Sequence, residues 1–259
     1  MGERGIEALR TIVRAWEAPA ALAGETRLIP FGVAAIDGTL GGGLASGTLH
    51  EIAAPNEPAL GAATGFALAL AARGARAGKS ALWATEDMGQ LENGAPYGPG
   101  LDAFGLAPER LVTVVAAKGR EVLWAMEEAL RSGGIGAVIG EVRGGDRGGA
   151  IDLVATRRLS LAAAGSGALA LLLRPRPPLQ ASAAATRWIV GSAPSENPGG
   201  PRGPGPPRFA VELVRNRRGP LGTWMLEFSR DQRFLLAAAH PEPVARPARD
   251  RSARTAGAA

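Results

Sequence analysis

Cysteine is absent from this 259-residue chain, and histidine occurs only twice, at His50 and His240. Without cysteine the chain has no disulfides, thiolate metal sites or thiol nucleophiles. With two histidines we expect neither a metal site nor a Ser/His catalytic pair. No stretch reaches about 18 uncharged apolar residues, and residues 1–14 carry charges throughout, unlike a signal peptide. We therefore expect a cytoplasmic protein with no membrane segment.

Lysine is nearly absent as well, because only Lys79 and Lys118 are lysines among 29 basic residues. The preference for arginine is typical of a GC-rich genome and indicates no function by itself. The location of the charge is more informative. Residues 172–259 contain fourteen arginines and six carboxylates, a net charge of +8, whereas residues 1–171 carry −3. A basic lobe of this kind attracts nucleic acid or an acidic protein surface.

Strands and helices alternate through the first two thirds of the chain. Strands are predicted at residues 48–52, 80–85, 111–115, 137–142 and 168–173, and helices at 61–72, 121–131 and 151–164, with a short helical turn at 101–106. Several strands are apolar along their whole length, which is typical of strands buried on both faces. This alternation predicts an α/β fold with a mostly parallel central sheet flanked by helices.

The pattern changes after residue 175. Short strands at residues 187–190, 209–214 and 224–228 predict a C-terminal antiparallel β extension of the sheet. Between them, residues 194–207 hold six prolines and four glycines, which predicts a flexible surface loop. We expect Trp188 and Trp224, which lie on these strands, to be packing residues rather than platforms for stacked bases.

Both ends of the chain differ from this core. Residues 1–24 are predicted to contain an amphipathic helix, because apolar side chains recur every three or four positions within residues 3–22. Residues 25–239 then form one core domain. The stretch 240–259 consists largely of proline, alanine and arginine and is predicted to be a disordered basic tail.

A phosphate-binding P-loop requires a strand, a glycine-rich turn ending in Gly-Lys-Ser/Thr, and then a helix. The triplet Gly78-Lys79-Ser80 has the right letters but the wrong context. It follows a predicted helix and precedes a strand, and Arg73 stands where the first glycine of the motif belongs. We interpret the triplet as a basic turn.

The segment with the correct order is residues 51–64, but the chemistry of a P-loop is missing there. It contains no lysine or arginine, Ala54 replaces the first glycine, and Pro58 removes an amide donor. Gly61 and Thr64 remain from the pattern. The sequence predicts a degenerate P-loop that binds no nucleotide, so the protein is expected to act by binding rather than by hydrolysing ATP, with no cofactor or metal.

Residues 36–52, with the glycines Gly41, Gly42, Gly43 and Gly47, resemble the lead-in to the P-loop of RecA recombinases. Residues 80–87 resemble the next strand of that fold with its acidic end, Glu86 and Asp87. Glu141 corresponds to the carboxylate that ends the Walker B strand. The resemblance implies a RecA-like P-loop-type fold. Without a bound phosphate, we do not expect these carboxylates to hold magnesium.

The ordered set of residues 186–190, 207–219 and 222–228 resembles the ImuA family, and the likeness extends over about residues 28–237. That resemblance implies a non-enzymatic accessory protein of SOS-induced translesion synthesis and mutagenesis. Its implied partners are an ImuB-like Y-family polymerase homologue, the RecA recombinase and a replicative-type error-prone polymerase. Two other hypotheses stay open: an ATP-binding RecA-like regulator or ATPase, and a SulA-like cell-division inhibitor.

Four arginines are candidates for contacts with DNA or a partner: Arg187, Arg215, Arg217 and Arg218. They lie on or beside the predicted C-terminal strands, and a hairpin that presents arginines can hold a phosphate backbone. A solvated turn explains the same pattern equally well. Any binding of single-stranded DNA is expected to be weak and independent of sequence.

Overall fold

A computed structural model describes residues 27–75, 78–143, 151–195 and 205–237 of the chain. The predicted helix within residues 1–24, the predicted tail at 240–259 and most of the proline-rich segment at 194–207 lie outside the described residues. The core domain predicted at residues 25–239 contains all of the described elements.

The central element is one mixed sheet, which has nine strands within the described residues and the order β11-β10-β9-β8-β3-β7-β6-β4-β5. A separate two-stranded ribbon pairs β1 with β2. The strands are β1 (Leu28–Ile29), β2 (Leu44–Ala45), β3 (Leu49–Ala53), β4 (Ser80–Glu86), β5 (Leu111–Ala116), β6 (Ile135–Glu141), β7 (Leu169–Arg174), β8 (Thr186–Ser192), β9 (Arg208–Asn216), β10 (Gly222–Phe228) and β11 (Phe234–Leu236).

Six helices connect or precede these strands within the described ranges. They are α1 (Ala34–Thr39), α2 (Leu60–Gly74), α3 (Asp87–Asn93), α4 (Gly98–Ala103), α5 (Gly119–Arg131) and α6 (Leu153–Ser166). Single 3-10 turns cover Glu57–Ala59 and Pro108–Arg110. The part of the chain that the structure describes contains no helix long and apolar enough to span a bilayer.

The strands β8, β3, β7, β6, β4 and β5 are mutually parallel, as the apolar strand sequences predict. Strand β7 shows why both faces must be covered, because Leu171 and Leu173 join the core on one face while Ala170 and Leu172 join the core on the other. Helix α2 packs on the first face, and α5 and α6 pack on the second. The sheet is therefore the middle layer of three.

The C-terminal strands extend the sheet on the far side of β3. Strands β9, β10 and β11 are each antiparallel to the strand before them, which confirms the predicted antiparallel extension. The first strand of the predicted extension, β8, differs from the prediction. Strand β8 is parallel to β3 and only its other edge is antiparallel, so it belongs to the parallel core as much as to the extension.

A cluster of aromatic side chains packs this extension against helix α2. The ring of Phe66 lies 5.9 Å from Trp188, 5.5 Å from Phe234 and 6.1 Å from Phe209, measured between ring centroids. Trp188 is fully buried, and Trp224 packs 6.2 Å from it. These two tryptophans are packing residues, as predicted. Such tilted and edge-on pairs add about 0.5–1.5 kcal/mol each to the burial of the rings.

A polar network lies inside this apolar core at the middle of the sheet. His50 of β3 is buried, and its Nε2 lies 2.8 Å from the Ala45 carbonyl oxygen. Its Nδ1 lies 2.8 Å from the Thr186 hydroxyl, which also accepts a hydrogen bond from the Trp188 indole. The bond to the Ala45 carbonyl assigns the proton of a neutral ring to Nε2. Burial lowers the pKa of His50 to about 4, although the Ala45 carbonyl opposes this shift.

Candidate functional site

The segment between β3 and α2 connects a strand to a helix, which is the order of elements that a P-loop requires. Ala54 is buried directly after β3, Gly61 is exposed in the first turn of α2, and Thr64 lies half-buried one turn later. The sequence-based order of strand, turn and helix is therefore correct. What separates the strand from the helix is the 3-10 turn Glu57–Ala59 rather than a run of glycines.

Two backbone amides of this segment have partners within the protein, and two other residues have no amide proton. The Ala54 amide donates to a carbonyl of β7 at 3.0 Å, and the Ala59 amide donates to the side-chain Oδ1 of Asn56 at 3.2 Å. Pro55 and Pro58 have no amide proton. A phosphate-binding loop instead directs successive free amides at its ligand. Asn56 here uses its side chain to cap the 3-10 turn.

A cavity of about 580 Å³ lies beside this segment, between α2 and the region of α3 and α4. Leu68, Trp83 and Phe104 supply apolar wall, while Glu57 and Glu141 are its charged lining residues. Among the described residues, no lysine or arginine lines it. The predicted degenerate P-loop, residues 51–64, is called the slot below. Its Gly61 and Thr64 are part of the cavity wall, whereas Ala54 is not. The wall is thus mainly apolar, and both of its charged residues are acidic.

Glu141 ends strand β6 and is only 6% exposed. Its carboxylate accepts from the Thr85 hydroxyl and from the Asn93 side-chain amide at 3.5 Å each, and lies 3.7 Å from Nη1 of Arg143. All three distances are at the outer limit for such contacts. Burial raises the pKa of Glu141 above its ordinary value, and the positive charge of Arg143 opposes this.

Arg143 contacts three carboxylates, those of Glu141, Glu92 and Glu86, and the sequence analysis did not predict it. Its Nη2 pairs with Glu92 at 2.8 Å, and its backbone amide donates to Glu86 at 2.9 Å. The signal available in the sequence was a single basic residue two positions after the acidic end of a buried strand. Among the described residues, no group of three His, Asp or Glu side chains is arranged to hold a metal ion.

The triplet Gly78-Lys79-Ser80 lies at the opposite end of α2 from this site, between the helix and the start of β4. The ammonium of Lys79 lies 3.3 Å from the Gly133 carbonyl oxygen. The position agrees with the interpretation of the triplet as a turn.

Three of the four candidate arginines come together where β9 turns into β10. Arg215 is half-buried in β9, and Arg217 and Arg218 are exposed in the turn. Asn216 shapes the turn, because its side-chain oxygen accepts from the Arg218 amide at 3.0 Å and its nitrogen donates to the Thr39 carbonyl at 3.1 Å. The structure therefore contains a hairpin with arginines at its turn, and a contact between these arginines and DNA stays a prediction.

Arg187 lies opposite Arg215 in the pairing of β8 with β9, but its side chain has a different environment. Its Nε donates to Oε2 of the fully buried Glu51 at 2.6 Å, and its Nη2 donates to the Ser182 hydroxyl at 3.2 Å. The other oxygen of Glu51 has no hydrogen-bond partner. Arg187 thus neutralises a carboxylate inside the sheet, and a contact between Arg187 and phosphate stays a prediction.

The described architecture has the arrangement of the RecA-like recombinases. The chain superposes on the crystal structure of the RadB recombinase with a TM-score of 0.54 at 17% sequence identity, over 80% of this chain and 98% of that one. At this identity the likeness establishes the fold alone. This protein is therefore an α/β protein of the RecA-like class with a C-terminal antiparallel extension.

Sequence comparison narrows this class to one family. No family model matches the chain. It is, however, 34% identical over 216 residues to Protein ImuA from two strains of Caulobacter vibrioides, NA1000 / CB15N and ATCC 19089 / CIP 103742 / CB 15. The matched region covers 78% of this chain and 84% of each relative. The chain belongs to the ImuA family.

Proposed function

We propose that this protein is a non-catalytic RecA-like accessory protein of SOS-induced translesion DNA synthesis and mutagenesis. It acts in the cytoplasm as an adaptor between a recombinase and error-prone polymerase components. Its membership of the ImuA family and its RecA-like fold support this setting. The chemistry of the site supports the adaptor role.

The observation that carries the proposal is the donor set at the N-terminal end of α2. A magnesium-bound triphosphate needs a lysine, a hydroxyl and a series of free amides. The segment from residue 51 to residue 64 has no basic residue and two prolines, and the amides of Ala54 and Ala59 are bonded within the protein. Glu57 and Glu141 add negative charge to the adjoining cavity. These residues do not fit ATP, which supports a role in binding other proteins rather than in ATP hydrolysis.

The partners we propose are the RecA recombinase, an ImuB-like Y-family polymerase homologue and a replicative-type error-prone polymerase. Residues 1–24 supply a docking element in this proposal, because Ile6, Leu9 and Trp16 share one face of the helix that their spacing predicts. The arginines of the β9–β10 turn supply weak, sequence-independent attraction for single-stranded DNA.

One experiment with two readouts tests the proposal. The purified protein should show no DNA-stimulated ATP turnover above that of Lys79→Ala, a variant that removes the only lysine of the misplaced triplet. It should co-purify with the recombinase or with the Y-family partner in the absence of nucleotide. Deletion of residues 1–24 should weaken the association while leaving the melting temperature unchanged.

Three results would contradict the proposal in different ways. Turnover above that of Lys79→Ala would favour an ATP-dependent regulator. Failure to bind either protein partner would remove the adaptor role. If the deletion unfolds the protein, residues 1–24 are part of the core and the docking element must lie elsewhere.

A further inference from the structure

The cavity beside α2 has an aromatic wall and acidic lining residues. The loss of P-loop residues from segment 51–64 explains neither feature. Its wall is mainly apolar and includes three aromatic side chains, Trp83, Tyr97 and Phe104. Trp83 is buried, whereas Tyr97 is exposed at the rim. Aromatic faces attract cations, and they also pack against the aliphatic stems of long basic side chains.

The surroundings of the cavity are strongly acidic. Residues 86–109, which contain α3 and α4, carry five carboxylates and no lysine or arginine. The nearest cations lie in ion pairs, since Nη2 of Arg143 contacts Glu92 at 2.8 Å and Arg176 contacts Glu57 at 3.3 Å. Nη1 of Arg143 lies 3.7 Å from Glu141, beyond hydrogen-bond distance, and has no hydrogen-bond partner. A phosphate-bearing ligand would meet only negative charge in the wall, whereas a cation would meet complementary charge.

Glu141 supplies the specific contact point inside this cavity. It is a cavity-lining carboxylate that is nine-tenths buried, yet each of its three protein contacts is long, at 3.5 Å or more. Charge-assisted hydrogen bonds to a carboxylate normally measure about 2.7–2.9 Å. The carboxylate is therefore incompletely satisfied by the protein, and a donor that enters from the cavity would complete its shell.

We propose that the cavity receives an arginine side chain of a protein partner. The guanidinium donates to Glu141, and its stem packs against Trp83, Leu68 and Phe104. Arginine fits better than lysine because its planar fork binds a carboxylate through two parallel bonds and stacks on aromatic rings. The proposal rests on the non-catalytic role above and names the chemistry by which a partner would be recognised.

The test uses calorimetric titration of the full-length protein at low salt with the tripeptide N-acetyl-Leu-Arg-Leu-amide. The matched probe replaces arginine by citrulline, which keeps the shape and removes the charge. We expect the arginine tripeptide to bind at least about tenfold more tightly than the citrulline tripeptide, because a hydrogen bond to a charged group exceeds a neutral one.

Two variants locate the binding at this cavity. Glu141→Gln should abolish the preference for arginine over citrulline, and Gly61→Arg should weaken binding of the arginine tripeptide by placing a cation in the wall. Gly61 is exposed and a Cβ there meets nothing within 4 Å, so this variant should fold. Gly38→Arg is the matched control, because Gly38 is equally open but lies in α1, outside the cavity lining.

The proposal is overturned if the two tripeptides bind equally, if neither binds at millimolar concentration, or if Gly38→Arg weakens binding as much as Gly61→Arg. It is also overturned if ATP displaces the arginine tripeptide by binding in the same cavity. ATP turnover without such displacement would count against the proposed non-catalytic role and would leave the arginine site standing. Loss of the tripeptide with intact partner binding would remove only the arginine site.

Discussion

His50 should make the folded protein sensitive to mild acid. Burial at the middle of the sheet lowers the pKa of His50 to about 4, whereas the unfolded chain has the ordinary value of 6.5. Between these values the unfolded state takes up a proton that the folded state does not. The contribution of His50 to stability is therefore complete above pH 6.5 and is lost as the pH falls towards 4.

The size of the effect follows from the two pKa values. A difference of about 2.5, at about 1.4 kcal/mol per pH unit, gives about 3 kcal/mol in full. At pH 5 the titration of the unfolded chain has removed about 2 kcal/mol of this. For a domain of this size, each kcal/mol changes the melting temperature by about 2–4 °C. The loss between pH 7.5 and pH 5 should then be about 4–8 °C.

The measurement compares wild type with His50→Gln by thermal unfolding at pH 7.5, 6.0 and 5.0. Glutamine does not titrate and retains an amide that can donate to the Ala45 carbonyl, so the variant isolates protonation from packing. Glu141 acts in the opposite direction, since its raised pKa favours the folded state at low pH. That term is common to both proteins and cancels. Melting temperatures that fall in parallel would refute the assignment to His50.

Two further predictions concern the arginines. Arg187→Ala should lower the free energy of unfolding by about 3–5 kcal/mol, because it leaves the buried carboxylate of Glu51 without its charge partner. Urea denaturation measures this difference. A loss below about 1 kcal/mol would contradict the buried ion pair. If the β9–β10 turn contacts single-stranded DNA, replacing Arg215, Arg217 and Arg218 by alanine should reduce the slope of log K against log salt by about 2, at about 0.7 per contact. Three alanine replacements among the arginines of 246–254 form the control, and an equal change in both variants would contradict a specific role for the turn.

Most strands and helices were predictable because their apolar residues have the right period and length. The helix α3 was missed, since its sequence DMGQLEN has no apolar stripe and carries the helix-disfavouring Gly89 and Asn93. The parallel pairing of β8 was also missed. Pairing direction depends on how the chain returns to β3, and the local pattern of Thr186–Ser192 contains no information about that return.

The candidate site could be predicted in outline only. The order of elements around the slot and the lack of basic residues there are properties of consecutive residues, so the sequence revealed them. The pairing of Arg187 with Glu51 joins residues 136 positions apart, and the contact between Arg143 and Glu92 joins the segment after β6 to α3. Such contacts arise only when the sheet aligns the ends of its strands, which periodicity does not describe.

The sheet order has a consequence for synthesis on the ribosome. Strand β3 is made early, but its two neighbours, β7 and β8, begin at residues 169 and 186. The aromatic cluster is complete only when Phe234 has been added. A nascent chain therefore carries an unpaired strand for more than a hundred residues of elongation, and strands with unpaired edges associate readily. We expect the emerging chain to depend on chaperones until almost its whole length has left the exit tunnel.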